Sequence, residues 1–200
     1  MNFDIIKQHI NPDSVLDIGS NAGHWYQESK THWPDARFMM IEGNPECYDM
    51  LSASGGRFRM ALLSDTEKDV TFYTRKGAPA CTGASYNREL TQFYEGDNAV
   101  PNTIATRKLD DILDGETFEL IKIDVQGAEI DVMRGGLNTL AAAEAVILEV
   151  SIVEYNQGSP MADEVDAFMK SIGFPDHVDL GEIVHPITRQ HIQTDRLYLR

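Results

Sequence analysis

The chain has 200 residues, 42% of them hydrophobic, which suits one domain with a buried core and excludes wholesale disorder. Lys and Arg number 17 against 32 Asp and Glu, a formal charge of −15 that argues against a broad nucleic-acid surface, where basic side chains must offset phosphates. Cys47 and Cys81 lie far apart without metal-ligand spacing, so neither a disulfide framework nor a metal site is expected and a reducing cytoplasm is the default compartment. Residues 1–12 carry Asp4, Lys7 and Gln8 and lack the apolar core of a signal peptide. The most apolar stretch, residues 141–153, is broken by Glu144 and Glu149 and falls short of a bilayer span.

In chain order, residues 15–23 (Val-Leu-Asp-Ile-Gly-Ser-Asn-Ala-Gly) read as a short apolar strand entering a glycine-bearing turn, with a short helix over 22–30. Gly19 and Gly23 let the backbone approach a ligand that side chains would keep away. The helix would turn its amide end to the same crevice. An open α/β sheet holds a nucleotide-like cofactor in this way, at the carboxyl ends of its strands. The spacing is D-x-G-x-N-x-G, with Asn21 where a dinucleotide fingerprint has its second glycine. Residues 37–42 form the next strand and end in Glu42, whose two oxygens can accept from both hydroxyls of a ribose. NAD sites use the same device about 20 residues after the glycines, so Glu42 alone leaves the cofactor open. Asp17 and Glu42 could also be strand-end caps or salt-bridge partners, but both end adjacent apolar strands, which favours ligand binding.

Asn44-Pro45-Glu46 opens the next helix, with Asn44 as N-cap and Pro45 at the first helical position. Residues 57–63 are the third strand, leading into Ser64-Asp65; residues 119–124 are the fourth and 145–150 the fifth. A helix over about 127–140 joins the last two. Another follows, opened by Ser159-Pro160, striped by Val165, Phe168, Met169 and Ile172, and stopped by Gly173. Residues 194–200 read as a final strand in a hairpin with one near 177–183. This alternation predicts an α/β fold with a mainly parallel sheet covered on both faces. Residues 70–109 depart from it. Residues 70–73 and 103–106 look like extra strands around a glycine-rich loop, 76–86; we expect this insert to face substrate, the alternative being a surface β-ribbon.

Residues 120–129 (Leu-Ile-Lys-Ile-Asp-Val-Gln-Gly-Ala-Glu) resemble the fourth-strand run I-K-I-D-V-[EQ]-G-x-E of the FkbM-type family of S-adenosylmethionine-dependent methyltransferases. The likeness continues in order through Asp17–Gly23, Ile41–Pro45, Leu109–Ile112, Leu148–Val150 and Asp195–Leu199, nearly the whole chain from Val15 onward. It implies one Rossmann-like class I methyltransferase domain over residues 1–200, with seven strands and the last antiparallel. It also implies a pocket for S-adenosylmethionine, with Asp17, Gly19, Asn21 and Gly23 around the methionine portion. Glu42 would hold the ribose, and Leu62, Leu63 and Asp65 would lie near the adenine. Members are mostly O-methyltransferases, so the expected acceptor is a hydroxyl of a small molecule, sugar or glycan. About fourteen residues precede the first strand, so cover over the acceptor site is expected to be reduced.

Methyl transfer is an in-line displacement, for which an enzyme mainly supplies position. A hydroxyl nucleophile also needs a base within hydrogen-bond reach. Asp124, at the end of the fourth strand, is the first candidate; its alternative role is to cap the next turn. Glu149 sits in an otherwise apolar strand and requires a partner. Lys122 could pair with Glu149 or Asp124, as architecture or to hold a carboxylate ionised beside the acceptor. Glu129, early in its helix, is favoured by the helix dipole without catalytic duty. His24, and His185 beside Pro186 in a turn-like stretch, receive no catalytic role, and Tyr86 is either an acceptor contact or a packing residue. The competing readings are an NAD-dependent oxidoreductase or epimerase and a cofactor-binding module without turnover. No nucleic-acid or membrane partner is expected, and the sequence leaves the oligomeric state open.

Overall fold

The computed structural model describes residues 1–185 and 188–200, so the turn expected at Pro186 lies outside the described residues. In chain order the elements are α1 (Phe3–His9), β1 (Ser14–Ile18), α2 (His24–His32), β2 (Arg37–Glu42), α3 (Tyr48–Ala53), β3 (Phe58–Met60) and β4 (Leu62–Leu63). There follow β5 (Asp69–Arg75), β6 (Ala99–Arg107), α4 (Leu109–Leu113), β7 (Leu120–Ile123), α5 (Glu129–Arg134), α6 (Leu137–Ala141), β8 (Ala145–Ser151), α7 (Ala162–Ser171), β9 (Asp176–Val184) and β10 (His191–Leu199).

Seven strands form the main sheet in the order β3-β2-β1-β7-β8-β10-β9. The first five are mutually parallel, and β10 runs antiparallel to both β8 and β9. Side-chain alternation along each strand feeds two cores. Leu16, Ile18, Met39, Ile41, Ile121 and Ile123 face α4 to α7, whereas Val15, Phe38, Met40 and Leu120 face α1 to α3. The strand order reverses between β1 and β7, which opens a crevice at their carboxyl ends. No helix among the described residues is long and apolar enough to cross a membrane.

Three local departures from the sequence reading have physical causes. The expected third strand, 57–63, breaks at Ala61: its amide donates to Glu42 O at 2.8 Å, after which Leu62 and Leu63 leave the main sheet and pair with Thr106 and Arg107 of β6. The expected helix 127–140 becomes α5 and α6, because the chain at Gly135 passes so close to Ser64 that a Cβ there would lie 2.2 Å from its carbonyl oxygen. Helix α7 begins two residues after Ser159-Pro160, where Glu164 reaches back to accept from the Met161 amide at 2.9 Å. Helices α1 and α4 were not anticipated at all; α1 is opened by Asn2, whose side chain accepts from the amides of Asp4 and Ile5. The insert forms as a ribbon, with β5 and β6 antiparallel from Asp69↔Ala105 to Arg75↔Ala99.

Candidate active site

The site begins with the turn after β1. The Gly19 amide donates to Ile41 O at 2.9 Å, which ties the turn to β2. Gly19 has φ +79°, and a Cβ there would lie 1.8 Å from Asp124 O, so only glycine lets the ends of β1 and β7 close to this degree. Asn21 follows in the same left-handed region, with φ +47°.

Glu42 joins two turns. Its Oε2 accepts from the Asn21 amide and its Oε1 from the Asn44 amide, each at 2.7 Å. Burial pushes its carboxyl above the usual carboxylate range, against the lowering effect of these two bonds. Each oxygen keeps capacity for a further donor. Asn44 also caps the next turn as expected, its Oδ1 accepting from the Glu46 amide at 3.2 Å.

The insert folds back over this crevice. Asn44 Nδ2 donates to Pro79 O at 2.8 Å, Asn21 Nδ2 to Ala80 O at 3.2 Å, and Ser85 Oγ to Val125 O at 3.1 Å. The insert and the carboxyl ends of β1, β2 and β7 bound a crevice between them. Its floor is apolar, with Ile41, Leu62, Leu63 and Phe72, and Gly19, Glu42 and Asp124 add polar groups. The cover over the crevice thus comes from the insert, and Tyr86 lines it, with its hydroxyl 3.5 Å from Asp131 Oδ2.

A second cavity adjoins the first and shares Gly19, Asn21, Thr82, Asp124 and Gln126 with it. Glu149 lines this second space. Gln126 stands between two acids, its Nε2 donating to Asp124 Oδ1 and to Glu149 Oε1, both at 2.8 Å. Gln193 Nε2 also donates to Glu149 Oε1, at 2.6 Å. Both amides use Oε1, and Oε2 makes no hydrogen bond among the described residues. Burial, reinforced by Asp124 and Asp195, pushes the Glu149 carboxyl well above its ordinary range.

Lys122 pairs with Asp124 at 3.0 Å and lies 3.8 Å from Asp17. Burial works against its charge, but the attraction of Asp124 and Asp17 outweighs that effect and raises its pKa. Asp17 is fully buried, and neither carboxylate oxygen has a hydrogen-bond partner among the described residues. Burial pushes it up to about 6, with Lys122 opposing.

Of the residues singled out from sequence, Gly19, Asn21, Glu42, Leu62, Leu63 and Asp124 meet at the first crevice, and Glu149 joins Asp124 at the second. Asp17, Gly23, Asp65 and Lys122 line neither. Asp17 and Lys122 are cross-strand partners behind the turn, and Gly23 faces Leu51, Met40 and Ser54. Asp65 bonds Lys68, Ser64 and Thr66, the Lys68 bond first among the causes that hold its pKa low. Glu129 is buried and accepts from the Gly127 amide at 3.0 Å, which secures the turn into α5. His24 is exposed.

Sequence reasoning assigned no role to Gln126, Glu89, Tyr155 or Gln193, all of which line the second cavity. Gln126, in the fourth-strand motif just before a glycine, was legible in principle. The other three come from the insert, the segment after β8 and β10, and no local pattern joins them.

Residues 17–175 match the family profile of the methyltransferase FkbM domain. The chain belongs to the FkbM methyltransferase family. It is similar to the 2-O-methyltransferase NoeI of Sinorhizobium fredii, 29% identical over 167 residues that cover 74% of this chain and 67% of NoeI. Its fold is similar to the crystal structure of methyltransferase FkbM from Methylobacillus flagellatus, with a TM-score of 0.59 at 16% identity, covering 94% of this chain but 44% of that one. The N-terminal domain of EvdMO1, crystallised with S-adenosylhomocysteine and D-fucose, has a TM-score of 0.54 at 8% identity, covering 98% of this chain and 80% of that one. At these identities the structural likenesses speak to the fold, which is that of a Rossmann-like class I methyltransferase.

Proposed function

We propose that this FkbM-family chain is an S-adenosylmethionine-dependent O-methyltransferase, acting in the cytoplasm on a hydroxyl of a small molecule, sugar or glycan. The observation that carries the reading is Glu42, held by two backbone amides at the floor of a covered crevice that opens onto a second cavity holding Asp124 and Glu149. The residues fit the cofactor by their chemistry. Glu42 offers acceptors to a ribose, the apolar floor of Ile41, Leu62, Leu63 and Phe72 suits a purine, and the Gly19–Asn21 backbone is open to the methionine portion. Bound there, S-adenosylmethionine supplies an electrophilic methyl group. The 2-O-methyltransferase NoeI and EvdMO1, crystallised with S-adenosylhomocysteine, point the same way.

The acids divide the remaining work. Asp124 is tied on both oxygens, to Lys122 and to Gln126, which suits it to orient an acceptor. Glu149 has an unbonded Oε2 and a raised proton affinity, so it is the stronger base. Glu149 Oε2 would take the hydroxyl proton, with Gln126 and Gln193 fixing the carboxylate plane. Lys122 would hold Asp124 in place from behind, without touching substrate. The insert excludes water from the reacting groups.

Thermal unfolding with saturating S-adenosylhomocysteine, beside an equal concentration of NAD, tests the reading. Ligand at about a hundred times its dissociation constant adds roughly 2.7 kcal/mol, or roughly 5–10 °C for a domain of this size. A rise with S-adenosylhomocysteine alone is expected. A rise with NAD alone would overturn it, and cofactor binding without transfer to any hydroxylated acceptor would favour a module without turnover.

A further inference from the structure

The second cavity has a one-sided charge. Glu89, Asp124 and Glu149 line it, and among the described residues no lysine, arginine or histidine does. Glu89 is 7% exposed and accepts from the hydroxyls of Thr91 and Tyr155. Glu149 is held by two neutral amides. These donors satisfy oxygens without adding positive charge. Lys122 sits behind Asp124, engaged with it and with Asp17. Within the insert, Gly83 packs closely on Glu89, since a Cβ there would lie 2.2 Å from Glu89 Oε2. An apolar wall of Ile183, Val184 and Ile192 lines the same space.

Resting on the methyltransferase reading, we propose that this cavity is the acceptor site and that it selects by charge. It admits hydroxylated molecules that are neutral and prefers those bearing an ammonium group. It rejects those bearing carboxylate, phosphate or sulfate. Hydroxyls and ammonium groups donate to the three carboxylates, and the apolar wall covers the carbon face of the acceptor. Among the described residues an anionic group has no cation to meet there, and with water displaced its repulsion from Glu89 and Asp124 is weakly screened. Loss of solvating water is repaid only where the acceptor offers donors.

The test uses three methyl hexosides that differ only at C6, carrying –CH2OH, –CH2NH3⁺ or –COO⁻. Binding of each to the protein loaded with S-adenosylhomocysteine is read by titration calorimetry, after the affinity for S-adenosylhomocysteine has been measured on the same sample. The amine is expected to bind at least tenfold more tightly than the neutral sugar and at least a hundredfold more tightly than the carboxylate. Glu89→Gln should narrow the amine-to-carboxylate ratio by about tenfold. Gln193→Lys, which sets a cation beside Glu149, should move the preference toward the carboxylate. Carboxylate binding as tight as the amine, no binding of any member, or ratios unmoved in both variants would overturn the proposal while leaving the cofactor reading intact. Failure to bind S-adenosylhomocysteine would instead remove the methyltransferase reading and this proposal with it.

Discussion

Replacing Glu42 with Gln isolates the group on which the cofactor reading depends. Glu42 is 8% exposed and spans the Asn21 and Asn44 amides with its two oxygens, each at 2.7 Å. Glutamine has one carbonyl oxygen, so its NH2 must face one of those amides, donor against donor. The loss of one hydrogen bond to a charged acceptor costs about 1.5–3 kcal/mol. Removal of a buried charge, whose burial already raises the Glu42 pKa, offsets part of that in the unliganded fold. Stability should therefore change little, by roughly 1 kcal/mol or a few degrees in midpoint. The ligand has no such compensation: a ribose would lose its anionic acceptor, again about 1.5–3 kcal/mol, or roughly 10- to 150-fold in dissociation constant. Calorimetric titration with S-adenosylhomocysteine, run beside unfolding without ligand, separates the two effects. An affinity within twofold of the parent, in a variant with an unchanged midpoint, would refute the placement of Glu42 on the ribose.

Glu149→Gln is expected to lower kcat by about 10²–10⁴ with the affinity for S-adenosylhomocysteine retained, and to abolish the fall in parent rate as pH drops through the raised Glu149 pKa. Release of S-adenosylhomocysteine across a pH series reads both, and an unchanged profile would return the base to Asp124. Asp17 has a folded pKa of about 6 against an ordinary 3.8, so the folded state holds a proton that the unfolded chain has released between those values. Its burial therefore costs stability that grows from about pH 4 and is fully felt above about pH 6. Asp17→Asn should stabilise the protein at pH 8, by on the order of 1–3 kcal/mol, and not at pH 4; guanidinium unfolding with equal effects at both would contradict this. Gly19→Ala must displace Asp124 O from 1.8 Å and hold φ +79°, whereas Gly55→Ala, at φ +73° with nothing within 4 Å, meets only the backbone cost of about 1–2 kcal/mol. Similar midpoints for the two variants would show that the close approach of β1 and β7 is not rigid.

The fold was legible where one strand's residues carry their own instructions. The apolar runs at Val15, Met39, Ile121 and Ile147 marked the parallel strands, and Asn44-Pro45 marked a helix start, because alternation and capping are local. The breaks were not legible. Ala61 and Gly135 interrupt good patterns through contacts with Glu42 and Ser64, which are distant in sequence. At the site, Gly19 and Glu42 were readable because a turn and a strand end carry them to the crevice. Asp17 read as a ligand group beside them, yet strand alternation points it away from the crevice, across to Lys122 on β7. That parity was available in the sequence. Glu89, Tyr155 and Gln193 depend on the packing of the insert and the β9–β10 hairpin, which no short-range pattern encodes.

In the proposed function, the crevice at the carboxyl ends of β1, β2 and β7 holds S-adenosylmethionine with its transferable methyl group toward Asp124 and Glu149. A crystal structure of the protein grown with S-adenosylhomocysteine tests it most directly. Ribose hydroxyls within hydrogen-bond distance of Glu42 are expected, with the sulfur facing the cavity that Glu149 lines. S-adenosylhomocysteine bound elsewhere, or with its ribose turned away from Glu42, would contradict it.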